Sequence, residues 1–296
     1  MNQTLAISSD RDLAKSLLAA QGELTVAQFR EIAAIMQADA RIHLVEAKMT
    51  LVHSRLSRRL RDRGLTCFAD YLALVRNDSD ERAAMVVALT TNHTYFFREN
   101  HHFNHLRDRL LPSLQARARA GQSVRIWSAG CSSGEEVYSI AMTLAGESAS
   151  SAAWLRQGDV RLLATDVAPH VVEAVEQARY STSAVQQIPI AYRKQWLQEN
   201  GVGNHAVSDM LRSLVTARVL NLFQSWPMRQ SYDAIFCRNV MIYFDDRAKM
   251  ELEARFVEML TPGGTLYIGH SERLIGPAAS LMEPVGQTVY VKKGAA

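Results

Sequence analysis

Residues 124–144 read VRIWSAGCSSGEEVYSIAMTL, and their texture changes twice within that span. The run Ser123–Ser128 is short, apolar and partly β-branched, as a strand buried in a sheet requires. Ala129, Gly130, Ser132, Ser133 and Gly134 form a loop of small residues, and a helical run from Glu135 to Leu144 follows. Strand, small-residue loop and helix N-terminus make a cradle in which the backbone can approach a ligand closely. The spacing is not the G-x-G-x-x-G of a dinucleotide site. Two acids, Glu135 and Glu136, open the helix where a pyrophosphate would otherwise rest. Negative charge there disfavours a diphosphate and favours a ligand with a cationic end. The same pair would also offset the helix dipole, so the loop alone leaves both readings open.

Outward from this unit the pattern repeats. Val160–Thr165 reads as a second strand and Pro169–Arg179 as a second helix. Tyr232–Cys237 is a third strand, Asp245–Leu260 a helix, and Gly264–Gly269 and Thr288–Lys292 further strands, with a Pro262-Gly263-Gly264 turn before the first of these two. Strands alternating with helices predict a parallel, doubly wound α/β sheet of the Rossmann-like kind. The stretch 180–221 breaks the alternation and is expected to be an inserted antiparallel β lobe. Residues 1–90 read as an all-α domain, leaving 91–296 for the α/β domain. In the first domain Ile42, Val45, Met49, Val52, Leu56 and Leu60 recur at steps of three and four, which predicts one helix face closed by Gly64. Val26–Met36 and Phe68–Val75 are shorter amphipathic stretches.

Composition narrows the function. No apolar run approaches the ~20 residues a membrane helix needs, and MNQTLAISSDRDLAK has no signal-peptide core. Cys67, Cys131 and Cys237 are odd in number and far apart, which suits a reducing compartment without disulfides. A net charge of +3 does not point to nucleic acid. Charge is concentrated, however: residues 41–63 hold seven basic residues (Arg41, Lys48, Arg55, Arg58, Arg59, Arg61, Arg63) against Glu46 and Asp62.

Three further segments carry chemistry. Asp166 stands at the end of the second strand, where it would accept the hydroxyls of a ribose or cap the helix starting at Pro169. Arg238 and Asn239 follow the third strand; they point into the ligand crevice or hold a turn. In TTNHTYFFRENHHF, residues 90–103, Thr94 and Arg98 are four apart and would share a helix face. His93, His101, His102 and His105 lack a metalloprotease pattern and an evident third ligand, so no metal is expected.

Taken in order, TTNHTYFFRE, WSAGCSSGEEVYSIAM, LLATDV, NLF, YDAIFCRNVMIYF and GHSE closely resemble the CheR family of chemoreceptor glutamate methyltransferases. The likeness extends to the basic segment KMTLVHSRLSRRLR, while Val137 departs from the family's usual proline. It implies an S-adenosylmethionine-dependent enzyme that forms glutamate methyl esters on methyl-accepting chemotaxis receptors and releases S-adenosylhomocysteine. By position, Asn92, Thr94, Arg98, Glu136, Asp166, Asn221, Leu222, Arg238 and Asn239 match its cofactor-binding residues, and Arg98 and Tyr243 those beside the transferring methyl. The implied partner is the cytoplasmic helical coiled coil of a chemoreceptor, met by a band of Arg41, Lys48, Arg55 and Arg59. A cytoplasmic monomer is expected, with no nucleic acid and no membrane insertion. The rivals are an RNA methyltransferase, weakened by the lack of an aromatic stacking platform, a cofactor-binding scaffold without chemistry, and a nicotinamide enzyme.

Overall fold

The computed structural model describes residues 22–294, so the N-terminal MNQTLAISSDRDLAK lies outside the described residues. The described chain divides into two compact units between Thr91 and Asn92. Helix α1, Val26–Ala40, opens with Thr25, whose hydroxyl accepts the Gln28 amide while the Gln28 side chain accepts the Thr25 amide. That reciprocal pair satisfies two otherwise orphaned donors. Left-handed Arg41, with φ 56°, ends the helix. A 3-10 turn, Glu46–Lys48, then leads into α2, Met49–Asp62. Val52, Leu56 and Leu60 are fully buried, as their spacing predicts. Ile42 and Val45 do not belong to that helix, because the Arg41 cap and the extended Val45 turn the chain before Met49. Gly64 follows α2 with φ +68°, a conformation suited to a residue without a side chain. Helices α3, Phe68–Asn77, and α4, Ser79–Leu89, complete the unit.

The expected basic band of Arg41, Lys48, Arg55 and Arg59 does not form. Arg41 caps α1 and Lys48 precedes α2, while the other two arginines turn inward. Arg55 donates to the carbonyls of Leu89 at 2.9 Å and Thr90 at 2.7 Å, and to Thr91 Oγ1 at 3.0 Å. Arg59 grips the fully buried Glu81 at 3.0 and 2.5 Å. Arg63 at 2.6 Å and the Tyr71 hydroxyl at 2.9 Å complete the shell around Glu81. Burial alone would raise the Glu81 carboxyl, but Arg59, Tyr71 and Arg63 outweigh it and hold it below its usual range. The band reads from sequence as a solvent face because inward and outward arginines look alike. Arg58 and Arg61 are the α2 arginines that do face solvent throughout.

The second unit begins with α5, His101–His105, a widened π turn at Leu106–Leu110, and α6, Leu111–Arg119. Then come β1, Val124–Ala129, α7, Glu135–Ala145, α8, Ala153–Gln157, β2, Val160–Asp166, and α9, Pro169–Gln177. Helix α9 stops two residues before the expected Arg179, because Ala178 adopts φ 52°. Strands β3, Arg179–Ser181, β4, Leu197–Glu199, and β5, Asn204–Val207, make a small antiparallel sheet of order β3-β5-β4, with α10, Ile190–Trp196, between the first two. Strand β6, Val215–Val219, rejoins the main sheet parallel to β2. The inserted lobe is therefore shorter than the expected 180–221: its strands end at Val207.

Strand β7, Tyr232–Cys237, helix α11, Asp246–Met259, strand β8, Leu260–Ile268, and strands β9, Met282–Gly286, and β10, Val289–Lys292, close the chain. Asp245 caps α11 by accepting the Ala248 amide at 2.8 Å. Pro262-Gly263-Gly264 is not a turn ahead of β8 but a bulge inside it. Leu260 already pairs with Tyr232, and pairing resumes at Ala234 with Thr265. The seven strands run in the order β6-β2-β1-β7-β8-β10-β9, parallel from β6 to β8 and antiparallel beyond. The connection reverses direction between β1 and β7, which opens a crevice at the carboxyl ends of these strands. Beneath it Phe236 stacks on Tyr267 with centroids 4.1 Å apart, and Trp127, Tyr138 and Phe96 are almost fully buried. Each such side chain contributes about 1.5–3 kcal/mol through burial, enough together to keep the crevice floor rigid.

Candidate active site

The small-residue loop after β1 is pinned to β2: the amides of Gly130 and Cys131 both donate to the Thr165 carbonyl, at 2.8 and 2.9 Å. A Cβ on Gly130 would lie 2.5 Å from Val240 Cγ2, so no side chain fits there. Gly134 has φ +98°, and its Cβ would lie 2.7 Å from the Tyr180 hydroxyl. That hydroxyl donates to the Ser133 carbonyl at 2.9 Å. Tyr180, on β3, thus braces the turn from the inserted lobe.

Asp166 closes β2 beside this turn. Its Oδ2 accepts the Ser132 amide and its Oδ1 the Ala168 amide, each at 3.0 Å. Its side chain does not cap α9, whose N-cap Ala168 has no side-chain hydrogen bond. Burial pushes the Asp166 carboxyl up, and the two amides oppose that shift. The amide of Leu220 donates to the Asp166 carbonyl at 2.9 Å, which brings Asn221 and Leu222 to the same end of the sheet. Asn221 Oδ1 accepts the Phe223 amide at 2.9 Å, and the Leu222 carbonyl accepts Trp226 Nε1 at 3.2 Å.

The two helix-opening acids differ in role. Glu135 accepts the Ser133 hydroxyl at 2.7 Å. Glu136 lies deeper: Oε1 accepts the Ser128 hydroxyl at 2.7 Å and Oε2 accepts Arg238 Nη1 at 3.1 Å. Burial pushes the Glu136 carboxyl up against the pull of Arg238 and Ser128. Arg238 also donates to the Arg98 carbonyl and faces Glu99 Oε2 at 3.3 Å, so its guanidinium ties three segments together. Glu99 accepts Asn239 Nδ2 at 3.2 Å and meets His270 Nδ1 at 2.9 Å. Burial would raise the Glu99 carboxyl, but Arg238, His270 and Asn239 prevail and bring it down to about 2. Asn239 has φ 59°, and its amide donates to Glu272 Oε2 at 3.1 Å. The buried atoms Asn239 Oδ1 and Arg238 Nε have no hydrogen-bond partner among the described residues.

Residues 92–95 are irregular and 96–100 form turns, not the helix face expected for Thr94 and Arg98. Phe97 and Glu99 are left-handed, with φ 54° and 55°, and cannot continue a helix. The segment is fastened to the small-residue loop and α7: Ser132 Oγ donates to the Asn92 carbonyl at 2.9 Å, and the Phe97 amide to Ser139 Oγ at 2.9 Å. Arg98 Nη1 donates to the His93 carbonyl at 2.9 Å. Tyr243 ends a 3-10 turn, Met241–Tyr243, that follows β7. Glu99, His101 and His102 place one ligand atom each within 4.8 Å of one another, but Arg238 already supplies the cation beside Glu99.

At one end of the sheet, Ser132 ties Asn92 to Asp166, Arg238 ties Glu136 to the Arg98 carbonyl and to Glu99, which holds Asn239, and Asn221 follows the Leu220 amide bonded to Asp166. Glu99, Glu272, His270 and Tyr180 also contribute hydrogen bonds here although the sequence reading assigned them no role; the motifs FFRE and GHSE contained three of them, Glu99, His270 and Glu272. A crevice with acids where phosphates would need donors, a glycine turn against the backbone and a buried aspartate at the β2 end suits a nucleoside bearing positive charge. It defines a Rossmann-like S-adenosylmethionine-dependent methyltransferase. Residues 92–291 match the SAM binding domain of the CheR methyltransferases, and residues 27–90 match their all-alpha domain. The chain belongs to the CheR methyltransferase family. The "Probable chemotaxis protein methyltransferase" of Rhizobium etli is 44% identical over 261 residues, covering 86% of this chain and 96% of that protein. "Chemotaxis protein methyltransferase 2" of Pseudomonas aeruginosa is 42% identical, covering 84% and 87%. The "Chemotaxis protein methyltransferase" of Escherichia coli is 38% identical, covering 90% and 91%. No helix among the described residues is long and apolar enough to cross a membrane.

Proposed function

We propose that the chain methylates the γ-carboxylates of glutamates on the helical coiled coil of a chemoreceptor, acting as a monomer in the cytoplasm. The relatives' names support the substrate. The observation that carries the cofactor is Asp166, buried at the β2 end with both oxygens held by amides, beside a turn that excludes any side chain at Gly130. In this reading Asp166 takes the ribose hydroxyls, and Asn221 and Leu222 flank the adenine. Asn92, Thr94, Glu136, Arg238 and Asn239 surround the amino-acid end. The unpartnered Asn239 Oδ1 suits an ammonium donor. Glu136 and Arg238, already bonded to each other, shape that end as a pair.

S-adenosylmethionine supplies an electrophilic methyl group when bound. A glutamate with an ordinary pKa of ~4.3 is ionised near neutral pH, so the chain needs no general base. Its contribution is alignment, which can supply roughly 7–11 kcal/mol, together with exclusion of water from charges that cancel during transfer. Arg98 holds one oxygen of the substrate carboxylate and leaves the other free to react. Its Nη1 is tied to the His93 carbonyl, which favours that one-sided contact over a bidentate clasp. Tyr243 orients the same carboxylate. On α2 the exposed Arg58 and Arg61 are the residues that face an acidic partner.

The test is incubation with methyl-labelled S-adenosylmethionine and chemoreceptor-containing membranes. Label released by alkali as methanol is expected from wild type, and a loss of at least about a hundredfold from Arg98→Ala, in line with removal of a charged group that stabilises a reacting centre. Label that resists alkali would refute ester formation, and near-normal turnover by Arg98→Ala would remove Arg98 from the chemistry.

A further inference from the structure

Just past β8 the chain reads Gly269-His270-Ser271-Glu272, and Glu272 is 6% exposed. Its acceptor bonds go to backbone. Oε2 accepts the Gly269 amide at 2.5 Å and the Asn239 amide at 3.1 Å, while Oε1 accepts the Ile242 amide at 3.1 Å. No Lys, Arg or His forms an ion pair with it among the described residues. A buried carboxylate without a cation is costly unless hydrogen bonds satisfy it, and here three backbone amides do.

What those bonds set is the loop after β7. Asn239 stands before, and Ile242 within, the Met241–Tyr243 turn, and Asn239 is held at φ 59°. The loop after β8 presses directly against it: a Cβ on Gly269 would lie 2.5 Å from Asn239 Nδ2 and 2.6 Å from its amide nitrogen. On the other side Glu99 Oε1 accepts Asn239 Nδ2 at 3.2 Å, which fixes the amide's orientation. One carboxylate therefore holds the backbone of this loop and another its first side chain.

We propose that Glu272 is a positioning residue for methyl transfer: by holding the Asn239 and Ile242 amides it sets Tyr243 against the substrate carboxylate. The inference rests on the reading that Tyr243 orients that carboxylate. Glu272→Gln separates the contacts. The single oxygen of glutamine can still serve the Gly269 and Asn239 amides, but its amino group then meets the Ile242 amide donor to donor. The disturbance falls on the Met241–Tyr243 turn and spares the Asn239 backbone.

The experiment measures kcat and KM for S-adenosylmethionine on chemoreceptor membranes, and S-adenosylhomocysteine binding by calorimetry, for wild type, Glu272→Gln, Tyr243→Phe and the double variant. Glu272→Gln is expected to lower kcat about 10–30-fold, the effect of a lost orienting contact, with KM and product affinity within threefold. Because it acts through Tyr243, the double variant should lose far less than the product of the two single losses. Wild-type kcat in Glu272→Gln alongside an impaired Tyr243→Phe overturns the positioning role alone, as does a fully multiplicative double variant. An unimpaired Tyr243→Phe overturns both this inference and the role of Tyr243. A Glu272→Gln that keeps its circular-dichroism spectrum but loses S-adenosylhomocysteine binding overturns the inference; if that spectrum shows it has not folded, Glu272→Asp, which keeps the charge but is one methylene shorter, is read through the same cycle against the same outcomes.

Discussion

Gly134→Ala tests whether the turn after β1 is held by the inserted lobe. Gly134 sits at φ +98°, which costs an alanine roughly 1–2 kcal/mol by the usual left-handed penalty. The new Cβ would also lie 2.7 Å from the Tyr180 hydroxyl and 3.0 Å from Val175 Cγ2. Overpacking of that kind costs about 1–3 kcal/mol. The expected loss is about 2–5 kcal/mol. In a unit of this size each kcal/mol lowers Tm by roughly 2–4 °C, so a fall of about 10 °C is the central expectation. Tyr180→Phe alone forfeits the hydroxyl's bond to the Ser133 carbonyl, worth about 1 kcal/mol. In the double variant the atom nearest the new Cβ is gone, so part of the steric loss should return and the pair should be less damaged than the sum. Urea unfolding gives each stability, and titration with S-adenosylhomocysteine shows whether the turn still binds. Strictly additive losses would refute the claim that Tyr180 and Gly134 press on one another.

Asp166→Asn should weaken S-adenosylhomocysteine binding about 10–100-fold, the range for losing one or two charge-assisted bonds; calorimetry reads it, and unchanged affinity would dismiss Asp166 as the ribose ligand. Glu81→Gln should destabilise the first unit by about 3 kcal/mol, because two arginines and Tyr71 lose their shared anion; denaturant midpoints measure it. The folded Glu81 carboxyl lies below its unfolded value of ~4.3, so its contribution is present above that pH and fades as pH falls through the lower folded value. The same sign holds for Glu99, brought down to about 2, and Glu99→Gln should flatten the acid limb of the second unit's stability curve. Reversing Arg58 and Arg61 to glutamate should slow receptor methylation several-fold at low salt while leaving cofactor affinity intact; salt-independent kinetics would reject a docking role.

The cofactor loop was legible in the sequence because its constraint is local. Gly130 and Gly134 answer to backbone geometry within a few residues, and the strand before them is bounded by its own composition. Strand β6 was less legible: Val215–Val219 exposes Val219, at 53%, so it does not read as a buried parallel strand. The inward turn of Arg55 and Arg59 depends on Glu81 and on carbonyls more than twenty residues away, which no helical spacing reports. Glu99 and Glu272 were hidden for a similar reason. Glu99 meets Asn239 across 140 positions, and Glu272 meets the same residue across 33. A carboxylate's task is set by which donors fold onto it, and its own neighbours in sequence carry little of that information.

The outermost strand, β9, has β10 as its neighbour, and its exposed run Glu283-Pro284-Val285 bears on how the protein behaves at high concentration. A strand with one neighbour invites a second molecule to extend the sheet. Pro284 withholds a backbone donor, Glu283 adds charge, and the ladder slips between Val289 and Tyr290, so an incoming strand would find neither a flat margin nor a full row of partners. At that margin β-sheet stacking between copies is disfavoured by the very residues that end the fold, which leaves the apolar Val285 exposed without making it a seed for aggregation.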